Sequence, residues 1–358
     1  ANAAIQSGFG SALKELIQFG LFGLMFIAIA QLNGTRKNAR SFFLVFFAAL
    51  IVLSLINAGW HLAHGITSGW KALDDQKITH SIVVVLAGIW LAFNWQTSSS
   101  TKRGLGIFLI LLAIVLMLMA GERKAWGAAV IGMIVTFAVL APLQSPAELS
   151  KRVVTLACAL IAIGGAAALI APQVPYLSKQ FSSLANFADL LLFTDSEEWS
   201  SGAETLSNTG RLFGIQMSTF FYHENPVFGI GPGNYIKTIR GMNIDDVFQK
   251  GAHNELLRIA AELGNVGLML YAVLYVTVLS RMIRVFAVLR QLEPHHLLLL
   301  VTGASLLGYG FFINVFLAGG GLNTYFYILP SALIYSIPVR AYTTSSRSSP
   351  RKMIHYAA

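Results

Sequence analysis

Cysteine and charged residues are both scarce in this sequence. Cys158 is the only cysteine in 358 residues, which excludes an intrachain disulfide and a cysteine-rich metal site within this chain. Charged residues make up 11% of the chain, against about 25% in soluble globular domains. A chain with so few charged residues cannot form the polar surface of an ordinary soluble domain of this length. The composition therefore predicts a membrane protein.

Long apolar runs occupy most of the chain instead. Hydrophobic residues make up 55% of it, with a mean hydropathy of +0.65. Runs long enough to cross a bilayer as a helix, about 17 to 25 residues each, lie near 16–31, 42–58, 78–95, 104–120, 126–142, 153–171, 256–280, 296–316 and 322–339. We therefore predict an all-α polytopic membrane protein with nine transmembrane helices in this chain.

The distribution of basic residues predicts the orientation of these helices. The connections on one face carry fourteen Lys and Arg residues against Glu148 and Glu293, and such an excess marks the cytoplasmic side. The net charge of +9 therefore reflects membrane topology, and no nucleic-acid partner is expected. Nine spans and a cytoplasmic C-terminus place residue 1 outside, so an odd number of further spans is expected upstream.

The predicted organisation has four parts. Residues 1–171 form transmembrane helices with an outer Arg-bearing hairpin at 121–126, residues 172–252 a large outer loop, residues 253–339 the C-terminal transmembrane helices, and residues 340–358 a basic cytoplasmic tail. Helix connections usually have about two to eight residues, so a loop of this length is expected to carry function. Its segments "YLSKQFSSLANFADLLLF" and "RLFGIQMSTFFY" predict amphipathic helices, lying either on the membrane surface or as a lid on the bundle.

Candidate anion-binding side chains lie in the outer connections. Arg123 and Lys124 fill a short hairpin, where they could extend towards lipid headgroups or bind an anion such as a phosphate. Arg211, further along in the outer loop, could be a solvated charge or could face the same anion. The spans are nearly free of ionisable groups, with Glu262 and His80 as the main exceptions, which weakens a transporter or channel interpretation.

Three glycines in the loop allow two interpretations. Gly229, Gly231 and Gly233 surround Pro232, so positive φ and exposed backbone N–H groups could form an anion nest. The same residues could form a purely structural turn. The segment lacks the Lys-Ser/Thr ending of a nucleotide-binding P-loop, so no nucleotide is expected.

A polar segment precedes the next apolar run. Asn254 is a predicted N-cap, and His253 stands immediately before it. At a helix N-terminus the helix dipole favours a neutral imidazole, which can accept a proton. Interfacial hydrogen bonding is the other interpretation of His253, and Arg258 with Glu262 could form a simple i,i+4 pair.

The motifs "NTGR", "NPVFGIGPGNY" and "HNELLRIAAELGNVGLMLYA", taken together, resemble the bacterial O-antigen ligase and polymerase superfamily. The resemblance implies about twelve helices, three of them upstream of this chain, a GT-C-like glycosyltransferase architecture in the inner membrane, and a large periplasmic loop. It implies transfer of a glycan from undecaprenyl diphosphate to a lipid A-core acceptor.

The resemblance also implies roles for individual residues. His253 corresponds to the essential loop histidine and is the expected general base, Arg123 to the outer-hairpin arginine, and Arg211 to a loop arginine associated with the donor diphosphate. Lys124 is assigned from charge and position only. The full set of expected substrate-binding residues is Arg123, Lys124, Arg211, Gly231, Gly233, Asn234, Asn254 and Arg258. No metal or cofactor is expected, because the cations would replace a metal.

Three alternatives remain at this stage. An O-antigen polymerase or a protein O-oligosaccharyltransferase would use similar residues on other substrates, and a lipid-linked glycan transporter would only bind the headgroup. The chain ends soon after its last predicted span in "RAYTTSSRSSPRKMIHYAA", without an added periplasmic acceptor domain, which favours the ligase.

Overall fold

The computed structural model describes residues 24, 26–31, 36–63, 79–94, 99–120, 123–145, 150, 203–242, 254–311 and 325–339. Several sequence predictions fall outside these residues: the span at 153–171, the loop segment at 176–193, His253, and the tail at 340–358. The side chains of Arg123, Lys124 and Arg211 lie outside them too, although the backbone at these three positions is helical.

The described residues are mostly helical and contain no β-strand. The helices are α1 (Arg36–Ala63), α2 (Thr79–Asn94), α3 (Ser100–Ala120), α4 (Arg123–Leu140), α5 (Ala203–Glu224), α6 (Asn234–Gly241), α7 (Glu255–Ala287), α8 (Pro294–Phe311) and α9 (Tyr325–Tyr335), with 3-10 turns at Ala141–Leu143 and Leu289–Gln291.

Membrane-crossing character is clearest in three helical stretches of the described chain. Lys37–Trp60, Trp126–Leu143 and Glu255–Ala287 are long and apolar enough to cross a bilayer, and His80–Phe93 and Arg103–Met117 are shorter apolar helices. The prediction of an all-α membrane protein is thereby confirmed, whereas the count of nine spans stays a prediction.

The chain forms two compact units, one of residues 43–199 with 358 and one of residues 1–42 with 200–357. In the first unit, α2 packs against α3 and α4. Between Ile82 and Phe93, α2 is entirely apolar, which suits it to the interior of a helical bundle, and Val85, Leu86 and Ile89 are fully buried. The buried His80 shares a hydrogen bond with Ser54 of α1, which gives this histidine of an apolar helix a polar partner.

In the second unit, α8 and α9 pack closely, and α7 contacts α5, α6 and α9. A Cβ at Gly303 of α8 would lie 2.9 Å from the Pro330 carbonyl oxygen of α9, so the absence of a side chain lets the two helices approach, as small residues do between membrane helices. Helices α5 and α6 come from the predicted outer loop. The loop segment that contains "RLFGIQMSTFFY" is therefore part of a folded unit with the C-terminal helices.

Candidate functional site

The beginning of α7 has the predicted N-cap. Asn254 has extended backbone angles (φ −144°, ψ 126°), and its side-chain oxygen accepts a hydrogen bond from the amide of Leu257 at 3.1 Å. This bond satisfies one of the N–H groups that have no partner inside the helix. The cap prediction is confirmed, and it shows that His253 directly precedes a helix N-terminus.

Arg258 lies one turn into α7 and is held by two carboxylates. Its Nη2 lies 2.6 Å from Oε1 of Glu255, its Nε donates to the other Glu255 oxygen at 3.2 Å, and its Nη1 lies 3.9 Å from Oε2 of Glu262. The predicted Arg258–Glu262 pair is present, but the shorter contact is to Glu255. Since one edge of the guanidinium is occupied by Glu255, this geometry favours a structural role; substrate binding by Arg258 stays a prediction.

Helix α7 is broken at Gly264, whose φ of 61° and ψ of −154° are not helical. The break frees backbone groups on both sides of it, and the loop segment 226–231 binds them. The amides of Ile230 and Gly231 donate to the carbonyls of Ala261 and Glu262, both at 2.9 Å; the amides of Asn265 and Val266 donate to those of Pro226 and Val227, at 2.8 and 3.2 Å. An unsatisfied backbone group in a membrane costs several kcal/mol, so this pairing makes the break possible.

The two backbones approach so closely that side chains are excluded on both. A Cβ at Gly229 would lie 2.3 Å from the carbonyl carbon of Glu262, and a Cβ at Gly264 would lie 2.5 Å from the carbonyl of Val227. Both glycines also have positive φ, which other residues adopt only with strain. The close contact between these two backbone segments therefore requires glycine at both position 229 and position 264, which are far apart in the sequence.

The geometry of the glycine turn bears on both interpretations of the sequence. Positive φ is confirmed at Gly229, Gly231 and Gly233. The amides of Gly229 and Gly231, however, donate to the carbonyls of Asn225 and Glu262. These two amides already have backbone acceptors, which favours the structural-turn interpretation; anion binding at this turn stays a prediction.

Asn234 also has a structural partner: its side-chain amide donates to the Ile230 carbonyl at 2.9 Å. Direct contact of substrate with Gly231, Gly233, Asn234 or Asn254 stays a prediction.

Glu262 links the turn to the short helix α6. Its side chain is buried, with the residue 7% exposed, and its Oε1 accepts a hydrogen bond from the amide of Tyr235 at 3.2 Å. The N-cap of α6, Gly233, has no side chain to accept a hydrogen bond. A carboxylate from α7 thus does for α6 what an N-cap side chain usually does.

Tyr235 connects α6 to α5. Its ring is buried and packs edge-on against Phe221, with ring centroids 5.7 Å apart, in a cluster that also contains Ile239 and Ala261. Burial raises the pKa of the Tyr235 phenol above its ordinary value, and the charge of Glu262 acts in the same direction, against a lowering hydrogen bond to Ser218. The phenol therefore stays protonated at neutral pH and donates to the Gly214 carbonyl at 2.8 Å.

Some of the predicted site residues lie in the same compact unit, and others belong to the other unit. Glu262 contacts both Gly231 and Arg258 within one compact unit, and Asn234 is bonded to the same turn through Ile230. The backbone of Arg211 lies on α5 three residues before Gly214, whereas Arg123 and Lys124 begin α4, in the other compact unit. The predicted convergence of Arg123 and Arg211 stays a prediction.

Two of the connecting residues, Glu262 and Tyr235, had no predicted role in the site. The signal for Glu262 was its charge inside an apolar run, two residues before a glycine. Within the ranges described, no three His, Cys, Asp or Glu side chains form a group that could hold a metal ion, and metal-independent chemistry stays a prediction.

In the part of the chain that the structure describes, these features define a helical membrane protein in which a segment of the predicted outer loop pairs with a broken apolar helix. Residues 107–272 match the family model described as O-Antigen ligase. The matched range runs from α3 to the middle of α7 and includes the paired segment. The resemblance expected from the three sequence motifs is confirmed over this matched range. No curated protein matches the chain.

We predict that Gly264→Ala destabilises the protein, because the new methyl group would meet the Val227 carbonyl and alanine at positive φ is strained, by about 1 to 3 kcal/mol. Thermal unfolding in detergent should show a lowered Tm. The matched control is Gly241→Ala at the end of α6, where a Cβ has nothing within 4 Å and the change is expected within about 0.5 kcal/mol. Equal Tm values for the two variants would contradict the close backbone contact.

Proposed function

We propose that this protein is an O-antigen ligase that transfers glycan en bloc from undecaprenyl diphosphate to a sugar hydroxyl of lipid A-core. The observation that carries the proposal is the O-Antigen ligase match over residues 107–272, since it includes every residue assigned to catalysis or donor binding from the sequence. We place the reaction at the periplasmic face of the bacterial inner membrane.

The contacts in the C-terminal unit support this assignment. Helix α5, which carries Arg211, is tied to α6 by the bond from Tyr235 to the Gly214 carbonyl. Helix α6 is tied to α7 by the bond from Tyr235 to Glu262, and His253 precedes the first turn of α7. One continuous set of contacts therefore connects the backbone of a proposed donor-binding residue to the helix that follows the proposed base.

In the proposed chemistry, His253 removes the proton of the acceptor hydroxyl as general base. The acceptor oxygen then forms a bond to the anomeric carbon as the bond to the diphosphate oxygen breaks, which inverts that centre. Arg123, Arg211 and Lys124 stabilise the negative charge that develops on the departing undecaprenyl diphosphate. The confirmed cap at Asn254 supports the role of His253, since a helix N-terminus favours the neutral imidazole.

No metal, nucleotide or other cofactor takes part in this scheme, because the cations stabilise the leaving group and the donor bond supplies the driving force. The wider architecture that we propose is GT-C-like: transmembrane helices in 1–171 and 253–339, nine spans in this chain and about twelve in all, a periplasmic loop at 172–252, and a cytoplasmic tail at 340–358.

The direct test incubates the purified protein with undecaprenyl-diphosphate glycan and rough lipopolysaccharide, with chelator and without ATP. A mobility shift of the lipopolysaccharide is the expected result. Longer lipid-linked glycan without that shift would indicate a polymerase, glycan on a protein acceptor an O-oligosaccharyltransferase, and movement of uncleaved donor across proteoliposomes a transporter.

We predict that His253→Ala lowers kcat by about 100- to 10,000-fold, the usual worth of general-base help, while donor affinity stays near that of the wild type. His253→Gln should stay similarly slow, because an amide can hydrogen-bond but cannot accept the proton. The matched control is His223→Ala, which removes an exposed histidine at the end of α5 and should leave turnover unchanged. A folded His253→Gln enzyme with near-normal turnover would rule out the base.

We predict that Arg123→Lys and Arg211→Lys each reduce kcat/KM by about 10- to 100-fold, because lysine keeps the charge and loses the bidentate fork that matches phosphate oxygens. Steady-state kinetics with varied donor measure the effect. Arg240→Lys, the same change at an exposed position of α6, is the control and should behave like the wild type. Wild-type kinetics in both lysine variants would show that charge alone attracts the headgroup.

A further inference from the structure

The buried carboxylate of Glu262 holds the loop to α7 in two ways. Its backbone carbonyl accepts the Gly231 amide at 2.9 Å, and its side-chain Oε1 accepts the Tyr235 amide at 3.2 Å. One residue thus binds both the glycine turn and the first turn of α6. It does so from inside the apolar stretch Glu255–Ala287, where a charged side chain is costly and is usually kept for a task.

A local reason for the charge lies at the start of α6. The first N–H groups of a helix have no partner inside it, and Gly233 as N-cap offers no side-chain acceptor. The Tyr235 amide therefore needs an acceptor from elsewhere, because Tyr235 is buried, at 1% exposed. The Glu262 carboxylate provides this acceptor. It also places negative charge at the positive end of the α6 dipole.

The second oxygen of Glu262 faces towards the beginning of α7. Its Oε2 lies 3.9 Å from Nη1 of Arg258, and Arg258 is in turn bound by Glu255. The carboxylate therefore lies between the turn of the loop and the first two turns of α7. Those turns begin at the Asn254 cap, directly after His253.

We propose that Glu262 is a positioning residue for glycosyl transfer. It acts through the Tyr235 amide: the carboxylate keeps α6 and the glycine turn in a fixed place against α7, the helix that follows His253 in the sequence. This role rests on the proposed function. In this role Glu262 acts through its protein contacts, to the Tyr235 amide and Arg258, and not as a catalytic group.

Three substitutions at Glu262 distinguish the effect of its hydrogen bond to the Tyr235 amide from the effect of its negative charge. Glu262→Ala removes both, Glu262→Gln keeps an acceptor oxygen at similar reach without the charge, and Glu262→Asp keeps the charge on a side chain one methylene shorter. Glu224→Ala is the matched control, because it removes an exposed carboxylate at the end of α5. Each variant is compared in lipid nanodiscs by hydrogen–deuterium exchange of peptides covering 229–241 and by kcat and donor KM.

In Glu262→Ala we expect exchange of the first α6 amides to quicken by about tenfold or more, as expected for loss of a hydrogen bond to a charged group. We expect kcat to fall by about 100-fold, the effect of displacing reacting groups by about 1 Å, with donor KM within about twofold. Glu262→Gln should stay within about fivefold of the wild type, since a neutral acceptor is the weaker partner. Glu262→Asp should fall between, and Glu224→Ala should match the wild type.

Wild-type kcat or unchanged exchange in Glu262→Ala would overturn the proposal. Normal exchange with lost turnover in Glu262→Gln would also overturn it, because the charge would then act in the reaction itself. If the alanine variant does not fold, Glu262→Asp takes its place, and unchanged exchange and kcat in that variant would overturn the proposal. If the wild-type protein transfers no glycan, the proposed function is wrong. The exchange measurement would still show whether Glu262 holds α6 in place.

Discussion

The hydrogen bonds between the loop segment 226–231 and the break in α7 are the interaction on which the rest of the described site depends. A helix that crosses a membrane normally satisfies its own backbone, and a break is tolerated only where protein or water replaces the lost partners. Here the loop backbone replaces them on both sides of Gly264. The break and the loop are therefore one feature: neither geometry is stable without the other.

This pairing explains why particular residue types lie far apart in the sequence. Gly229 and Gly264 are glycines because each lies against the opposite backbone and has positive φ. Glu262 is charged inside an apolar stretch because a buried amide of α6 needs an acceptor. Tyr222 adds a further bond from α5 to Asn265 just beyond the break, at 2.8 Å. A short loop motif and a helix motif thus form a single packed structure.

Much of the described fold follows from local patterns in the sequence. Long apolar runs predict the helices because a bilayer demands them, Asn254 predicts its cap from side-chain chemistry, and glycines beside Pro232 predict positive φ. The break at Gly264 could not be read in the same way, because glycine is common in uninterrupted membrane helices. The partner of the Gly231 amide was hidden for a related reason: its acceptor is the Glu262 carbonyl, and no local pattern indicates a partner so distant in sequence.

The central claim is that the loop segment 226–231 completes the broken helix. It is tested most directly by a cryo-EM reconstruction of the protein in lipid nanodiscs at side-chain resolution. The account predicts an interruption of α7 at residue 264, with the amides of Ile230 and Gly231 on the Ala261 and Glu262 carbonyls and the Tyr235 amide on the Glu262 carboxylate. A continuous α7 through residue 264, with the 226–231 segment separated from it, would contradict the account.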